Sequence, residues 1–258
     1  MEQVSSSRSG VELKNRAEIA SMRKAGQLAG LTLDELGRHL EAGIPTKELD
    51  QIANKFVKER GGVPTFVGYR GYPATICVSI NEQVVHGIPS SRKIVDGDIV
   101  SIDFATTVDG FVGDTARTWA VGNVSDEAKK LIDVTQQSLA VGIDAMKPGS
   151  RLGDVGAQIQ KHVEKNGFGV VRDFVGHGIG RQMHEEPAIP NYGRPNTGIR
   201  IEPGLVIAIE PMVTMKDWQV RVLEDGWTVV TKDGSLAAHF EHTVAMTEDG
   251  PIILTQVE

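Results

Sequence analysis

Apolar residues return every third or fourth position from residue 17 to about 40. Ile19, Met22, Ala25, Leu28, Ala29, Leu33, Leu36 and Leu40 share one face, with charges opposite. That spacing predicts a helix packed on a core and stopped by Gly43 and Pro45. Thr46 is a candidate N-cap for a second helix, striped by Leu49, Ile52, Ala53, Phe56 and Val57 and ended at Gly61 and Gly62. Ser125, with Asp126 and Glu127 behind it, opens a third helix that Pro148 and Gly149 break. Leu152, Val155, Ile159 and Val163 stripe a fourth, ending near Asn166 and Gly167. Between and after these pairs lie β-rich stretches at 76–80, 99–104, 111–121, 205–213, 220–223, 227–231 and 242–246. The class is therefore α+β around an antiparallel sheet. The recurrence of two helices followed by strands predicts two similar halves, on element order and not on matching letters.

No linker-like or low-complexity block divides the chain, so residues 11–258 are expected to form one domain behind a polar, flexible tail at 1–10. With 27 Lys and Arg against 34 Asp and Glu, the net charge of -7 argues against a phosphate-tracking surface, and nucleic acid is not expected as a substrate. Cys77 is the single cysteine, which excludes an intrachain disulfide and a cysteine-built zinc site. No apolar run approaches the roughly 20 residues of a membrane span. These features together predict a cytoplasmic protein without membrane contact.

Candidate chemistry begins at a hairpin. Asp109-Gly110 is a two-residue turn signal between the stretches around 99–104 and 111–121. With that loop, Asp103 faces position 116 and Asp114 lies two residues away on the same sheet face; with a loop at 108–109 the two acids face directly. Two carboxylates on one face repel unless a cation or a proton intervenes. The hairpin alone reads equally well as a local turn in which Asp114 caps and Asp103 accepts hydrogen bonds. Glu210 and Glu241 are two further acids in apolar surroundings, and four carboxylates together would suit a hard or borderline divalent ion. His177, between Gly176 and Gly178, is the candidate nitrogen ligand. His86 and His184 precede turn residues, as groups projecting beside a site do; singly, a histidine so placed is more often a hydrogen-bonded structural one. His39 and His162 fall in helical patterns and read as surface or packing residues, while His239 and His242 flank Glu241 as candidate supporting groups. Neither a Gly-x-Ser-x-Gly elbow nor a His-Glu-x-x-His helix occurs, and the glycines around His177 lack nucleotide-loop spacing.

Taken in order, Gly68-Tyr69-Arg70-Gly71-Tyr72-Pro73, the run from Ser79 to Pro89 through His86, Asp103, Gly113-Asp114-Thr115, Gly176-His177-Gly178, His184-Glu185-Glu186-Pro187, Glu210-Pro211 and Glu241-His242-Thr243 resemble the type I methionine aminopeptidases, metallopeptidases of the pita-bread fold. The likeness runs from about Ile19 to the carboxyl terminus. It implies a pseudo-twofold pair of helix-helix-strand halves around the sheet and two divalent ions, cobalt, manganese, iron or zinc. Their ligands would be Asp103, Asp114, His177, Glu210 and Glu241, with Asp114 and Glu241 bridging. It further implies that Glu210 carries a proton, that His184 stabilises the oxyanion, and that His86 holds the substrate backbone. The methionine slot maps onto Tyr69, Tyr72, Cys77 and Trp227, with Phe66 and Met183 nearby, although aromatic residues beside a sheet are more often core. The expected partner is a peptide with a free amino-terminal Met, met near the ribosome by a monomer. X-prolyl aminopeptidases and prolidases share the ligands but usually carry a substantial amino-terminal domain, and non-catalytic modules of the fold lose ligands that this chain keeps.

Overall fold

The computed structural model describes residues 5–6 and 10–257. Four helices are present among them: α1 (Arg16–His39), α2 (Thr46–Glu59), α3 (Asp126–Ala145) and α4 (Leu152–Lys165). Asn15 starts α1 by accepting from the Ala17 and Glu18 amides while Glu18 reaches back to the Asn15 amide, so both ends of a capping box are made. Ser125 starts α3 by accepting from the Ala128 amide. The expected N-cap at Thr46 is displaced by one residue. Pro45, extended at φ -75°, takes the cap position, and the Thr46 hydroxyl instead exchanges hydrogen bonds with the Ser90 backbone. Of the expected tail at 1–10, residues 1–4 and 7–9 lie outside the described residues; Ser5–Ser6 pair with Glu12–Leu13 as a two-residue strand.

The central sheet runs, from one edge, Glu185–Ile189, Gly176–Gly178, Val206–Ile209, Glu241–Thr247, Phe111–Ala120, Ile99–Val108 and Val63–Pro64; Gly250–Ile253 also pairs with Glu241–Thr247, and Cys77–Ile80 with Ile99–Val108. Every pairing is antiparallel. Asp109 and Gly110 close the long hairpin with φ of +51° and +79°, the two left-handed residues that a tight hairpin turn demands.

Each helix pair covers its own apolar core. Leu33, Leu36, Leu49, Ala53 and Val57 of α1 and α2 pack with Ile76, Ile80, Ile102 and Phe104. Leu131, Leu139 and Ile143 of α3 join Leu152, Val155, Ile159 and Val163 of α4 against Ile207, Ile209, Val213 and Val244. The pseudo-twofold, pita-bread arrangement is thus realised as two helix-backed cores on one curled sheet. Close approach of α1 to the sheet depends on glycine: a Cβ at Gly113 would strike the backbone of Ala25 and Gly26. A third core, with Met22, Phe66, Tyr72, Cys77, Phe111, Ile179 and Met183, fills the space between the halves. The functional pocket opens there.

Two expected strands are broken or shortened by two residues. The run at 205–213 divides into Val206–Ile209 in the central sheet and Met212–Thr214 in a second sheet, because Pro211 has no amide hydrogen for a ladder. The run at 227–231 begins only at Val229; the amides of Trp227 and Thr228 are both taken by Asp225 in a turn.

Candidate metal centre and substrate pocket

Strand register assembles the acids. Ala116 pairs with Asp103 on one side and with Glu241 on the other, and Asp103 pairs in turn with Cys77. Those residues form one row across the sheet. Two residues along lies a parallel row. Asp114 pairs with Ala105, its backbone exchanges hydrogen bonds with the Thr243 hydroxyl, Thr243 pairs with Ala208, and Ala208 with His177. Side chains two positions apart along a strand share a face, so the rows put Asp103, Glu241, Asp114 and His177 on one surface. Alanines at 105, 116 and 208 leave the room that larger side chains would fill. Glu210 enters from the break after Ile209, where Asn191 donates to its carbonyl.

His177 stands in a narrow slot. A Cβ at Gly176 would strike the Ala208 carbonyl, and one at Gly178 the Glu186 carbonyl. Its Nδ1 lies 2.9 Å from the Gly178 carbonyl, an atom that only accepts, so the ring proton sits on Nδ1 and the Nε2 lone pair faces the acids. Nε2 is 3.5 Å from Glu210 Oε1 and 4.0 Å from Asp114 Oδ2. Ligand atoms of Asp114, His177 and Glu241 lie within 4.8 Å of one another.

A lone pair facing carboxylates, with no proton between, is an unstable arrangement by itself. The side chains register that tension. Burial first, then the Asp114 and Glu210 charges, push Asp103 well above the carboxylate range; burial chiefly moves Asp114 up to about 7. Glu210 and Glu241 are raised by burial and then by the neighbouring carboxylates. Burial, followed by His184, lowers His177 to about 3, so its imidazole is neutral near pH 7. Asp103 Oδ1 and Asp114 Oδ1 are buried and accept no hydrogen bond. Divalent cations fit this set: they would satisfy the orphaned oxygens, take the Nε2 lone pair and offset the mutual repulsion.

The other candidates line the same cavity. Phe66, Tyr69, Tyr72, Cys77, His86, Met183, His184 and Trp227 surround the five acid and imidazole groups, so all thirteen residues expected from the sequence face one space. Tyr72 shares its hydroxyl hydrogen between the Ile76 and Gly87 carbonyls, at 3.1 and 3.0 Å, and therefore presents its ring to the cavity. Trp227 meets that ring edge-on at 5.0 Å, and Phe66 meets it at 6.2 Å. Cys77 is buried, which pushes its thiol well up and keeps it protonated. Phe66, Tyr72, Cys77 and Met183 also belong to the third core, so core and pocket are here the same residues. His184 lies with its ring 4.2 Å from that of His177 and its Nδ1 2.7 Å from the Tyr69 hydroxyl. His86, held at φ +61°, packs edge-on against Phe174 and Trp227, and burial lowers it to about 4.

Two lining residues escaped the sequence reading: Arg70, inside the Gly68–Pro73 segment, and Phe174, two residues before Gly176; neither carries a type-specific signal. A third neighbour is His239, buried, with Nε2 3.8 Å from Glu210 Oε2 and without a hydrogen-bond partner. His242 instead bonds Thr255 through Nδ1 and lines a separate cavity, while His39 and His162 lie on α1 and α4 as expected.

Comparison with known proteins follows the same lines. Metallopeptidase family M24 matches residues 20–248. The chain is 53% identical over 244 residues to methionine aminopeptidase 1 of Bacillus subtilis (strain 168), covering 95% of this chain and 98% of that protein. The crystal structure of a methionine aminopeptidase from Thermotoga maritima superposes with a TM-score of 0.94 at 46% identity, covering 95% of this chain and 99% of the other. A prolidase from Pyrococcus furiosus, 22% identical with a TM-score of 0.76, covers 95% of this chain but 66% of its own and shares the fold.

Proposed function

The chain belongs to metallopeptidase family M24, and on that premise we infer that it removes the amino-terminal methionine from newly made proteins whose second residue is small. One observation carries the reading: buried, partnerless oxygens of Asp103 and Asp114 in a four-carboxylate and imidazole cluster, beside a slot walled by Tyr72, Cys77 and Trp227. The acids would take a free substrate amine and two divalent ions together; the slot would take an unbranched thioether, which sulfur–aromatic contacts favour by roughly 0.3 to 1.5 kcal/mol.

Asp103, Asp114, His177, Glu210 and Glu241 would hold the ions. When bound, the ions polarise the scissile carbonyl and lower the pKa of a water. Glu210 would accept a proton on its carboxylate from the attacking water and return it to the leaving amine. His239 and His177, on either side of Glu210, limit its swing. With the Tyr69 hydroxyl as donor to His184 Nδ1, the His184 proton would sit on Nε2, available to the developing oxyanion. Burial keeps His184 neutral, so it acts as a donor and not as an acid. His86, also neutral near pH 7, would hold the backbone at the scissile amide. Residues 11–258 would act as one catalytic domain, since both helix-backed cores share strands of a single sheet. No helix among the described residues is long and apolar enough to cross a membrane. Action in the cytoplasm on chains leaving the ribosome is part of the proposal.

The test is hydrolysis by protein reconstituted with manganese or cobalt. Met-Ala-Ser is expected to be cleaved well, whereas acetyl-Met-Ala-Ser, Met-Leu-Ser and an X-Pro peptide are not. Equal cleavage of the acetylated peptide, or a preference for X-Pro, overturns the assignment.

A further inference from the structure

Arg70 stands at the pocket wall for reasons that neither the cation cluster nor the methionine slot explains. It lies in the short turn Tyr69–Gly71 with φ of +49° and ψ of +23°, a left-handed conformation uncommon for a side chain of this size. Gly68 and Gly71, also left-handed at +81° and +89°, flank it. The turn is nonetheless held firmly. Backbone bonds close it from Gly68 to the Tyr72 carbonyl, from Tyr69 to Phe66, from Gly71 to Gly68 and from Tyr72 to Tyr69. Tyr69 and Tyr72 anchor its ends through their hydroxyls, on His184 and on the Ile76 and Gly87 carbonyls.

This clamped turn presents an exposed guanidinium whose described contact is the Tyr69 ring, 5.4 Å away. Among the described residues it pairs with no carboxylate. The acids nearest the pocket belong to the cluster at its floor. The Tyr69 ring that it faces lies in turn 5.3 Å from the His184 ring, so the cation borders the site. The pocket therefore has a polarity along its length, anionic at the depth where a substrate amine binds and cationic toward solvent.

Distance sets what the cation can meet. Steps of 4.2 Å from the His177 ring to the His184 ring, 5.3 Å on to Tyr69 and 5.4 Å to the guanidinium place Arg70 at most roughly 15 Å from His177, the reach of about four extended residues. A peptide anchored by its amine at the acids and running outward would bring its third to fifth residues there.

Resting on the aminopeptidase reading, we propose that Arg70 is a specificity-determining residue that favours substrates with a carboxylate at the third to fifth position. The carboxylate is that of an Asp or Glu side chain or, in a tripeptide, of the chain terminus. The guanidinium matches a carboxylate through two parallel N–H donors, a geometry that Lys does not reproduce.

The experiment compares kcat/KM of the metal-loaded protein on Met-Ala-Ser-Glu-Gly-amide and Met-Ala-Ser-Gln-Gly-amide, and on Met-Ala-Ser as free acid and as amide. The first pair reads a side-chain carboxylate; the second reads the terminal one. The wild type is expected to prefer the charged member by about two- to fivefold at low salt, through KM, with the preference fading in about 0.5 M salt. Arg70→Gln should bring both ratios to about one, and Arg70→Glu should invert them. A structural role for Arg70 would change both members of a pair alike. Ratios that survive Arg70→Gln, or a wild type with no charge preference, overturn the proposal while leaving the aminopeptidase reading intact. Failure of the wild type to cleave any Met peptide overturns both.

Discussion

The floor of the pocket carries Asp103, Asp114 and Glu241 on strands of the central sheet, with Glu210 at a strand end, whereas its wall carries Phe66, Tyr69, Tyr72 and Trp227 on turns and irregular segments. Floor groups are placed by backbone register and held against their chemical preference: burial raises all four carboxylates, and repulsion from neighbouring carboxylates raises Asp103, Glu210 and Glu241 further. Much of the wall does the reverse. Phe66, Tyr72, Cys77 and Met183 contribute to the apolar core between the halves while shaping a cavity. The contrast teaches that one pocket can contain residues the fold pays for and residues that help to form it. Substitutions on the two sides should therefore move activity and stability in opposite proportions.

The largest effect belongs to the floor. Glu210→Gln should lower turnover by about 10²- to 10⁴-fold, the usual share of a group that moves protons, without lowering the melting temperature. Near-normal turnover by a fully metal-loaded variant would remove Glu210 from that role. Next comes the wall. Met183, 5% exposed, should cost about 2 to 5 kcal/mol when changed to Ala, read by urea unfolding, with a smaller loss of turnover on Met-Ala-Ser. A stability change near zero would show that the wall is pocket only.

The smallest and sharpest effect is in pH. Asp114 has its proton affinity raised from an ordinary 3.8 to about 7, so in metal-free protein its contribution to stability is fully present below pH 3.8 and is lost as pH rises through about 7. The buried imidazoles work in the other sense. His86, lowered to about 4, contributes stability above its ordinary value of 6.5 and loses it as pH falls through about 4. The readout is therefore the difference between wild type and Asp114→Asn. The variant should gain in relative unfolding free energy as pH rises from about 4 to about 7, by on the order of a few kcal/mol at most, and saturating manganese should cancel the gain. A difference flat in pH would mean that Asp114 is not strained without metal.

Local sequence carried a large part of this structure. The apolar stripe expected at 17–40 is α1 at Arg16–His39, because a capping box and a continuous face act within one element. The turn at Asp109-Gly110 set the hairpin register, and Asp103 does face Ala116 with Asp114 on the same surface. Misreadings cluster where a side chain's partner lies far along the chain. Thr46 serves Ser90 and not its own helix, and Glu210 ends a strand that Asn191 helps to terminate. Arg70 gave no signal at all, since its position depends on a left-handed turn clamped by His184 and Gly87.

By itself the sequence determined the elements, the faces of the long hairpin and the chemical types available for a cation site, because capping, periodicity and turn geometry act over a few residues. Only the tertiary structure decided that the strand bearing Glu241 lies between those bearing Asp114 and Ala208, and that Ala208 sits opposite His177. Strand neighbours so far apart in the chain are chosen by the packing of both helix-backed cores together, and no local pattern encodes that choice.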